Sequence, residues 1–338
     1  MKKLLISAII CINGVAAISQ TLSNNVNSKK MSNQITKQNV QFLSEGLTLK
    51  GNLFLPENYD SNKKYPAIVV SGSWTTVKEQ MAELYAERLA KQGFITLAFD
   101  FRNFGESEGQ PRFFESPSMK KTDIVNSVSY LNSLSIVDKD KIGVLGICAG
   151  SMYTLMAASE DKRIKAVVTV ASWLHDAEAV KLFYGGEEGV QSKIKAAQDA
   201  KKKFAEKGIV DYIPTISETN ANAAMYGPYD YYLNPKRGAL PQWSADKFAV
   251  MSWEDWLTTN PMPSASKLTS PTLMIHSDGA VLPQYTKNYF NEIATNDKKL
   301  HWMKTELQSP YHQFNYYDQE PEVSEAVLEA SEWFRVKL

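Results

Sequence analysis

The chain has 338 residues, and its 37 Lys plus Arg balance 37 Asp plus Glu. A formal net charge of zero removes the electrostatic case for a nucleic-acid or anionic-membrane partner. The length suits one large α/β domain with an insertion, or two small domains, and the ordinary apolar content allows a sizeable core.

Residues 1–19 have the pattern of an export signal. Lys2 and Lys3 form a basic start, Leu4 to Ala17 an apolar run, and small residues follow at Ala16, Ala17 and Ser19. The run is too short and poorly flanked for a lasting transmembrane helix; an uncleaved anchor is the alternative. The mature protein is therefore expected to be periplasmic or secreted, with no stable membrane span. Cys11 lies inside the run behind Ile10, a residue bulkier than lipoprotein processing usually accepts. Cleavage removes it and leaves Cys148 alone, with no disulfide partner in the chain. Residues 20–37, rich in Asn, Ser, Lys and Gln, read as a disordered linker.

Val40 to Leu43 and Leu47 to Leu55, split by Glu45-Gly46, predict an edge hairpin. Pro66 to Ser71 is a short continuous apolar run, as in a strand buried on both faces. A loop at Gly72–Thr76 leads to a helical pattern over Glu79 to Gln92, which stops at Gly93. A strand at Phe94–Phe101, a helix at Met119–Leu134, a strand at Ile142–Ile147, a helix at Ser151–Ser159 and a buried strand at Ile164–Ala171 follow. The alternation breaks near Trp173 and resumes with the strand Pro271–His276, the helix Leu282–Ile293, the strand Leu300–Lys304 and the helix Glu322–Val336. Such alternation predicts a mostly parallel central sheet with helices on both faces. The core is expected at 38–174 and 266–338, with a helical cap inserted at 175–265. That insertion holds a basic helical segment, Lys193–Lys207, and the aromatic residues Tyr226, Tyr229, Tyr231, Tyr232, Trp243, Trp253 and Trp256. Aromatic residues of this kind fill a cap core or line a pocket.

Gly146-Ile147-Cys148-Ala149-Gly150 is a G-x-C-x-G between a strand and a helix. This is the nucleophile-elbow pattern with Cys in place of Ser. The cramped turn needs small residues two before and two after the nucleophile, and the helix N-terminus favours the thiolate. A buried structural Cys is the alternative. A thiol acting on an acyl group needs a base, and an acid to orient that base. Of four histidines, His276 and His301 fall inside strands, and His175 follows the strand before the cap. His312 lies in a polar stretch between the last strand and the last helix, which makes it the expected base. Asp278, just past a parallel strand, is the expected acid; an Asx-turn before Gly279 is its bland role, and Asp176 is the runner-up. The chain order Cys148, Asp278, His312 is nucleophile, acid, base. An oxyanion hole is expected from the backbone N–H of Ala149 and one at Ser73 or Trp74. Thr76-Val77-Lys78-Glu79 fits a capping box, which competes with an accessory role for Glu79. Asp100 and Arg102 are read as bracing their loop.

The segments GSWTTVKEQMAELYAERLAKQGF, AFDFRNFGESEG, DKIGVLGICAG, SPTLMIHSD and YHQFNYYD together resemble the α/β-hydrolase superfamily. The nearer likeness is to its bacterial dienelactone-hydrolase-like branch, grouped with Xaa-Pro dipeptidyl-peptidase-like hydrolases, and it covers about 45–175 and 266–338. The resemblance implies an α/β-hydrolase fold, with the nucleophile on Cys148, the acid on Asp278, the base on His312 and, loosely, a glutamate near the thiol on Glu79. It also implies a hydrolase without metal or cofactor, acting on ester, lactone or thioester bonds of a small acyl substrate, which the aromatic residues of the insertion suggest is partly apolar. Acyl transfer and peptidase action on the same triad are alternatives. A non-catalytic binding or thiol-sensing protein on a hydrolase scaffold is the reading from another class.

Overall fold

The structure, a computed structural model, describes residues 34–338. The expected export signal and most of the expected linker lie outside the described residues. β1 (Thr36–Ser44) begins inside the last two linker positions and pairs with β2 (Leu47–Leu55) as an antiparallel hairpin, Ser44 opposite Leu47. Glu45 and Gly46 both take positive φ, 48° and 84°, the backbone twist that a two-residue hairpin requires.

The remaining strands are β3 (Tyr65–Ser71), β4 (Ile95–Phe99), β5 (Val137–Ile147), β6 (Ile164–Val170), four two-residue strands within the insertion, β7 (Tyr212–Ile213), β8 (Ile216–Ser217), β9 (Met225–Tyr226) and β10 (Phe248–Ala249), and then β11 (Thr272–Ser277) and β12 (Lys298–Met303). The main sheet has 8 strands in the order β1-β2-β4-β3-β5-β6-β11-β12, parallel from β4 to β12. The order reverses about β3, so a crevice opens beyond the carboxyl ends of β3 and β5. α1 (Met81–Lys91) packs with α10 (Glu322–Lys337), and α2 (Pro117–Ser133) with α3 (Ala149–Glu160).

The insertion contains α4 (Ala177–Phe183), α5 (Gly186–Lys207), α6 (Asp230–Leu233) and α7 (Ser252–Thr258). It also carries two short strand pairs, β10 with β7 and β8 with β9, that the sequence pattern does not reveal. α8 (Pro283–Glu292) and α9 (Asn315–Asp318) complete the helices.

The capping box expected at Thr76–Glu79 does not form. α1 starts at Met81, behind Gln80. Thr76 Oγ1 donates to Ser73 O at 2.9 Å, and Gln80 Oε1 accepts from the Val77 N–H at 2.9 Å. The Thr76 N–H and hydroxyl both turn to Ser73 O, and the Glu79 carboxylate pairs with Lys78, so neither half of the box is made.

Two features fix the crevice. At the β5–α3 junction, a Cβ on Gly146 would lie 2.4 Å from Gly150 O, and one on Gly150 would lie 2.3 Å from Gly72 O. Both positions are thus held to glycine by backbone on the far side. Beneath the loop after β3, Glu115 is fully buried. Its Oε2 accepts from the Thr75 N–H (2.9 Å) and Lys120 Nζ (2.7 Å), and its Oε1 from Tyr153 Oη (2.8 Å). Its own N–H donates to Ser252 Oγ of α7 at 2.9 Å. Lys120 lies over the Phe104, Phe101 and Tyr153 rings at 4.5, 4.8 and 5.2 Å. Burial pushes its ammonium pKa down while Glu115 opposes the shift. One residue therefore joins the β3 loop, α2 and α3 through its carboxylate and the insertion through its N–H. A parallel brace supports the outer part: Asp100 accepts from the Lys78 N–H (2.7 Å), Lys78 Nζ (2.8 Å) and the Glu106 N–H (3.0 Å), and Arg102 pairs with Asp123 at 2.6 Å.

Gly150→Ala is expected to lower stability by about 1–3 kcal/mol through overpacking against Gly72 O, read as a fall in the urea unfolding midpoint. Glu115→Gln leaves Lys120 buried without its counter-charge and is expected to destabilise by ~3–5 kcal/mol in the same measurement.

Candidate active site

Cys148 caps the N-terminus of α3 with φ 55° and ψ −121°. This is a backbone region that a residue with a Cβ enters only when its surroundings force it. The Cys148 N–H donates to Val170 O at 2.9 Å and its carbonyl accepts from Trp173 N at 3.0 Å, so the turn is tied to β6 on both sides. The side chain faces a cavity of about 480 Å³. The walls come from every part of the molecule: Ser73 and Trp74 after β3, Ala149 at the elbow, Trp173 after β6, Val281 after β11, and Gln313, Phe314 and Tyr317 near the C-terminus.

The insertion supplies the roof. Phe183, Tyr184, Tyr226, Tyr229, Tyr232 and Trp256 line the cavity, and Trp256 Nε1 donates to Tyr184 Oη at 2.8 Å. The other expected aromatic residues serve the packing. Trp243 Nε1 donates to Thr75 O at 3.0 Å, Trp253 packs on Phe248 with centroids 4.8 Å apart, and Tyr231 packs on Tyr317 at 4.9 Å. The stretch is thus both cap core and pocket wall.

Burial pushes the Cys148 thiol pKa up. Ser73, Tyr317, the Ala149 N–H and Gln313 face the sulfur and act in the opposite direction. The thiolate that a helix N-terminus alone would favour is therefore outweighed by desolvation. Burial and the neighbouring thiol hold Tyr317 well above the usual phenol range, so it faces Cys148 as a protonated donor. Ser73 Oγ and Trp74 Nε1 are buried, line the cavity and make no regular hydrogen bond to a protein group.

The expected relay of Cys148, His312 and Asp278 is not assembled. His312 Nδ1 lies 2.7 Å from Ser277 Oγ and its Nε2 lies 2.9 Å from Glu322 Oε1, so both ring nitrogens are engaged away from the thiol. Tyr311–Phe314 forms a single 3₁₀ turn, in which neighbours point about 120° apart. That turn sends His312 behind the wall and Gln313 into the cavity.

Asp278 is exposed and accepts from Lys287 Nζ at 3.0 Å, and this hydrogen bond holds its carboxyl below the usual range. It lies in the turn one residue past β11, whose six residues, Ser277 the last of them, are all buried. The runner-up acid Asp176 caps α4, accepting from the N–H groups of Glu178 and Ala179 at 2.9 Å each. Glu79 pairs with Lys78 Nζ at 2.8 Å and is not part of the cavity wall.

The other imidazoles are also engaged elsewhere. His175 Nδ1 accepts from Trp173 Nε1 (2.7 Å), which leaves Nε2–H to donate to Trp256 O (3.0 Å), and burial lowers its pKa to about 4. His276 contacts the carbonyls of Ser277 (2.8 Å) and Ser172 (3.3 Å), with its pKa likewise lowered to about 4 by burial. His301 pairs with Glu325 at 2.7 Å.

Gln313 is the residue that sequence reasoning missed. Its Oε1 accepts from the Val281 N–H at 3.1 Å, and its Nε2 donates to Ala171 O at 2.8 Å and to Tyr317 Oη at 3.3 Å. A donor at one end and a carbonyl at the other fix which way the amide points. The only signal was its place beside a conspicuous histidine. Among the described residues, no group of three or more His, Cys, Asp or Glu is arranged to hold a metal ion, and no helix is long and apolar enough to cross a membrane.

The chain is similar to known proteins over most of its length. The family described as X-Pro dipeptidyl-peptidase (S15 family) matches residues 45–306. Protein PA2218 of Pseudomonas aeruginosa is 34% identical over 280 residues, 78% of this chain and 71% of its own. The PA2218 crystal structure has a TM-score of 0.78 at 28% identity, covering 91% of this chain and 95% of that one. YcjY of Escherichia coli K12 is 31% identical over 303 residues, 86% of this chain and 95% of its own. A thiohydrolase of Aspergillus aculeatus, aneE, is 35% identical over 136 residues, 40% of this chain and 41% of its own. The structure of a dienelactone hydrolase from Anabaena variabilis has a TM-score of 0.53 at 16% identity, covering 90% of this chain and 99% of that one, a likeness of fold alone. With its mostly parallel sheet, its elbow at the end of β5 and a family match across three quarters of its length, the chain belongs to the X-Pro dipeptidyl-peptidase (S15) family and has the α/β-hydrolase fold.

Proposed function

We propose that the protein acts on an activated acyl derivative of a small, partly apolar compound by forming a thioester on Cys148. One observation carries this reading: a strained elbow holds the chain's one described cysteine at the wall of an aromatic cavity, beside the Ala149 N–H and the buried Ser73 hydroxyl. Sγ attacks the acyl carbon. The charge that develops on the acyl oxygen meets fixed donors, for which Ala149 N–H, Ser73 Oγ and the Tyr317 phenol are the candidates. Collapse of the tetrahedral species expels the leaving group. Trp74 belongs to this reading as a wall and as the neighbour of Ser73. The His312–Asp278 pair does not, because neither side chain is turned to the thiol.

A second reading, a non-catalytic binding or thiol-sensing protein, draws support from Gln313, a neutral amide beside the sulfur. The two are separated by intact-mass analysis after mixing with nitrophenyl benzoate. The acyl reading expects one benzoyl group per chain, released nitrophenolate in a matching burst, and neither with Cys148→Ala. A sensor gives no acyl adduct and instead undergoes reversible oxidation of Cys148 under mild peroxide.

The direction of the thiol shift sets a pH dependence. Burial raises the Cys148 pKa, so its thiolate fraction near neutrality lies below that of a free thiol. Alkylation by iodoacetamide, followed from about pH 7 to about pH 10, is expected to keep climbing past the free-thiol midpoint of about 8.5. A plateau reached below that midpoint would contradict the assignment.

A further inference from the structure

We infer that Gln313 occupies the place from which a general base would have to serve Cys148, so that the acyl-thioester formed there is released to a thiol and not to water, and only donors whose leaving group departs as an anion can load it. This rests on the acyl reading above and narrows it.

The geometry is specific. Gln313 and Cys148 share the cavity wall, and the Gln313 amide is held by the Val281 N–H on one side and Ala171 O on the other. A carboxamide neither gains nor loses a proton at any working pH. All four imidazoles are engaged elsewhere, His312 on Ser277 and Glu322, and His175 and His276 on backbone carbonyls. The one other polar side chain of the C-terminal segment beside the sulfur, Tyr317, is a phenol. Trp74 Nε1, buried without a partner, and Ser73 Oγ, turned to the sulfur, mark the same space as built to receive polar atoms of a ligand.

The chemistry follows from the absence of a base against the sulfur: Lys193, the one charged side chain of the cavity wall, is not among the groups that bear on the Cys148 thiol. The Cys148 thiolate adds to the acyl carbon, and the tetrahedral species expels whichever group is the better anion. A thiolate or an aryloxide competes with Cys148 as a leaving group. An alkoxide or an amine anion does not, since each must be protonated as it departs. The amide bonds to which the family's name refers are therefore excluded for this chain. Loading breaks the donor's C–S bond, forms the Cys148 C–S bond and sends an electron pair away on the donor sulfur. Release reverses this with a second thiolate, whose pair forms the new C–S bond while the old pair returns to Sγ. No proton or electron is consumed overall. Water, by contrast, needs a base as it attacks. A second pocket of about 370 Å³ shares the wall residues Tyr226, Tyr229, Pro310 and Phe314 with the cavity.

The test uses the full chain and four benzoyl donors: the N-acetylcysteamine thioester, the nitrophenyl ester, the methyl ester and an anilide. Intact mass is expected to show a benzoyl adduct from the first two only. The adduct should clear in buffer within about 10-fold of the rate of S-benzoyl-N-acetylcysteine, well short of the 10²–10⁴-fold that a base contributes, and should clear rapidly on adding N-acetylcysteamine. Gln313→His is expected to shorten its lifetime in buffer by about 100-fold or more. Buffer clearance by the wild-type chain that is 100-fold faster than the small thioester, or turnover of the methyl ester or the anilide, overturns the inference while leaving the acyl reading intact. No adduct from any donor overturns the acyl reading and the inference with it. Should Gln313→His fail to fold, the wild-type clearance rate decides alone.

Discussion

The site depends on one backbone conformation. Cys148 sits at φ 55° and ψ −121°, and an α-carbon bearing a side chain stays there only when the rest of the fold over-determines it. The constraints are visible. The N–H and carbonyl of Cys148 are tied to Val170 and Trp173, and glycines two residues to either side let α3 press against the β3 loop. From this follow the direction of the sulfur, the Ala149 N–H beside it and the closeness of Ser73. The same turn stands where the strand order reverses about β3, so the sheet's natural crevice and the thiol coincide.

Much of the core was legible because its signals are local and redundant. Buried parallel strands are continuous apolar runs, helices repeat with a period near 3.6, and the elbow needs small residues at fixed spacing. Residues such as Gly146 and Gly150 announce a close approach whatever the rest of the chain does. The insertion was harder, since its two-residue strands carry no periodicity at all. Its aromatic residues divide between wall and packing according to which neighbours they meet, and residue type does not encode that. Trp256 and Trp243 are alike as letters, yet one lines the cavity and the other donates to Thr75.

The relay failed for a reason of the same kind, at the scale of a single residue. A histidine in a polar loop at the right chain position is a strong signal only if the loop's conformation is known. Here a 3₁₀ turn separates the directions of His312 and Gln313, and the residue that draws the eye is the one turned away. The acid shows the same effect where a strand ends. Ser277 and Asp278 are adjacent, one fully buried against His312 and the other exposed on Lys287. Ordering residues along a chain identifies the elements that could meet. It does not identify which of two neighbours does the meeting.

The electrostatics then agree with the altered wall. A helix N-terminus stabilises a nearby anion by up to about 2 kcal/mol in partly buried settings, and at Cys148 burial outweighs that and raises the thiol. A site that had to attack unreactive acyl groups would need the opposite balance, a depressed thiol and an adjacent base. An enclosed aromatic cavity with a reluctant thiol suits a substrate that brings its own activation, because then the protein's task is selection, orientation and exclusion of water. Apart from Lys193 on the wall, the fixed charges support that task from outside the cavity. Glu115 with Lys120 and Asp100 with Lys78 hold the loop after β3 that carries Ser73 and Trp74 while keeping their own charges off the wall. The aromatic enclosure and the missing base are thus two aspects of one arrangement, in which reactivity resides in the acyl donor.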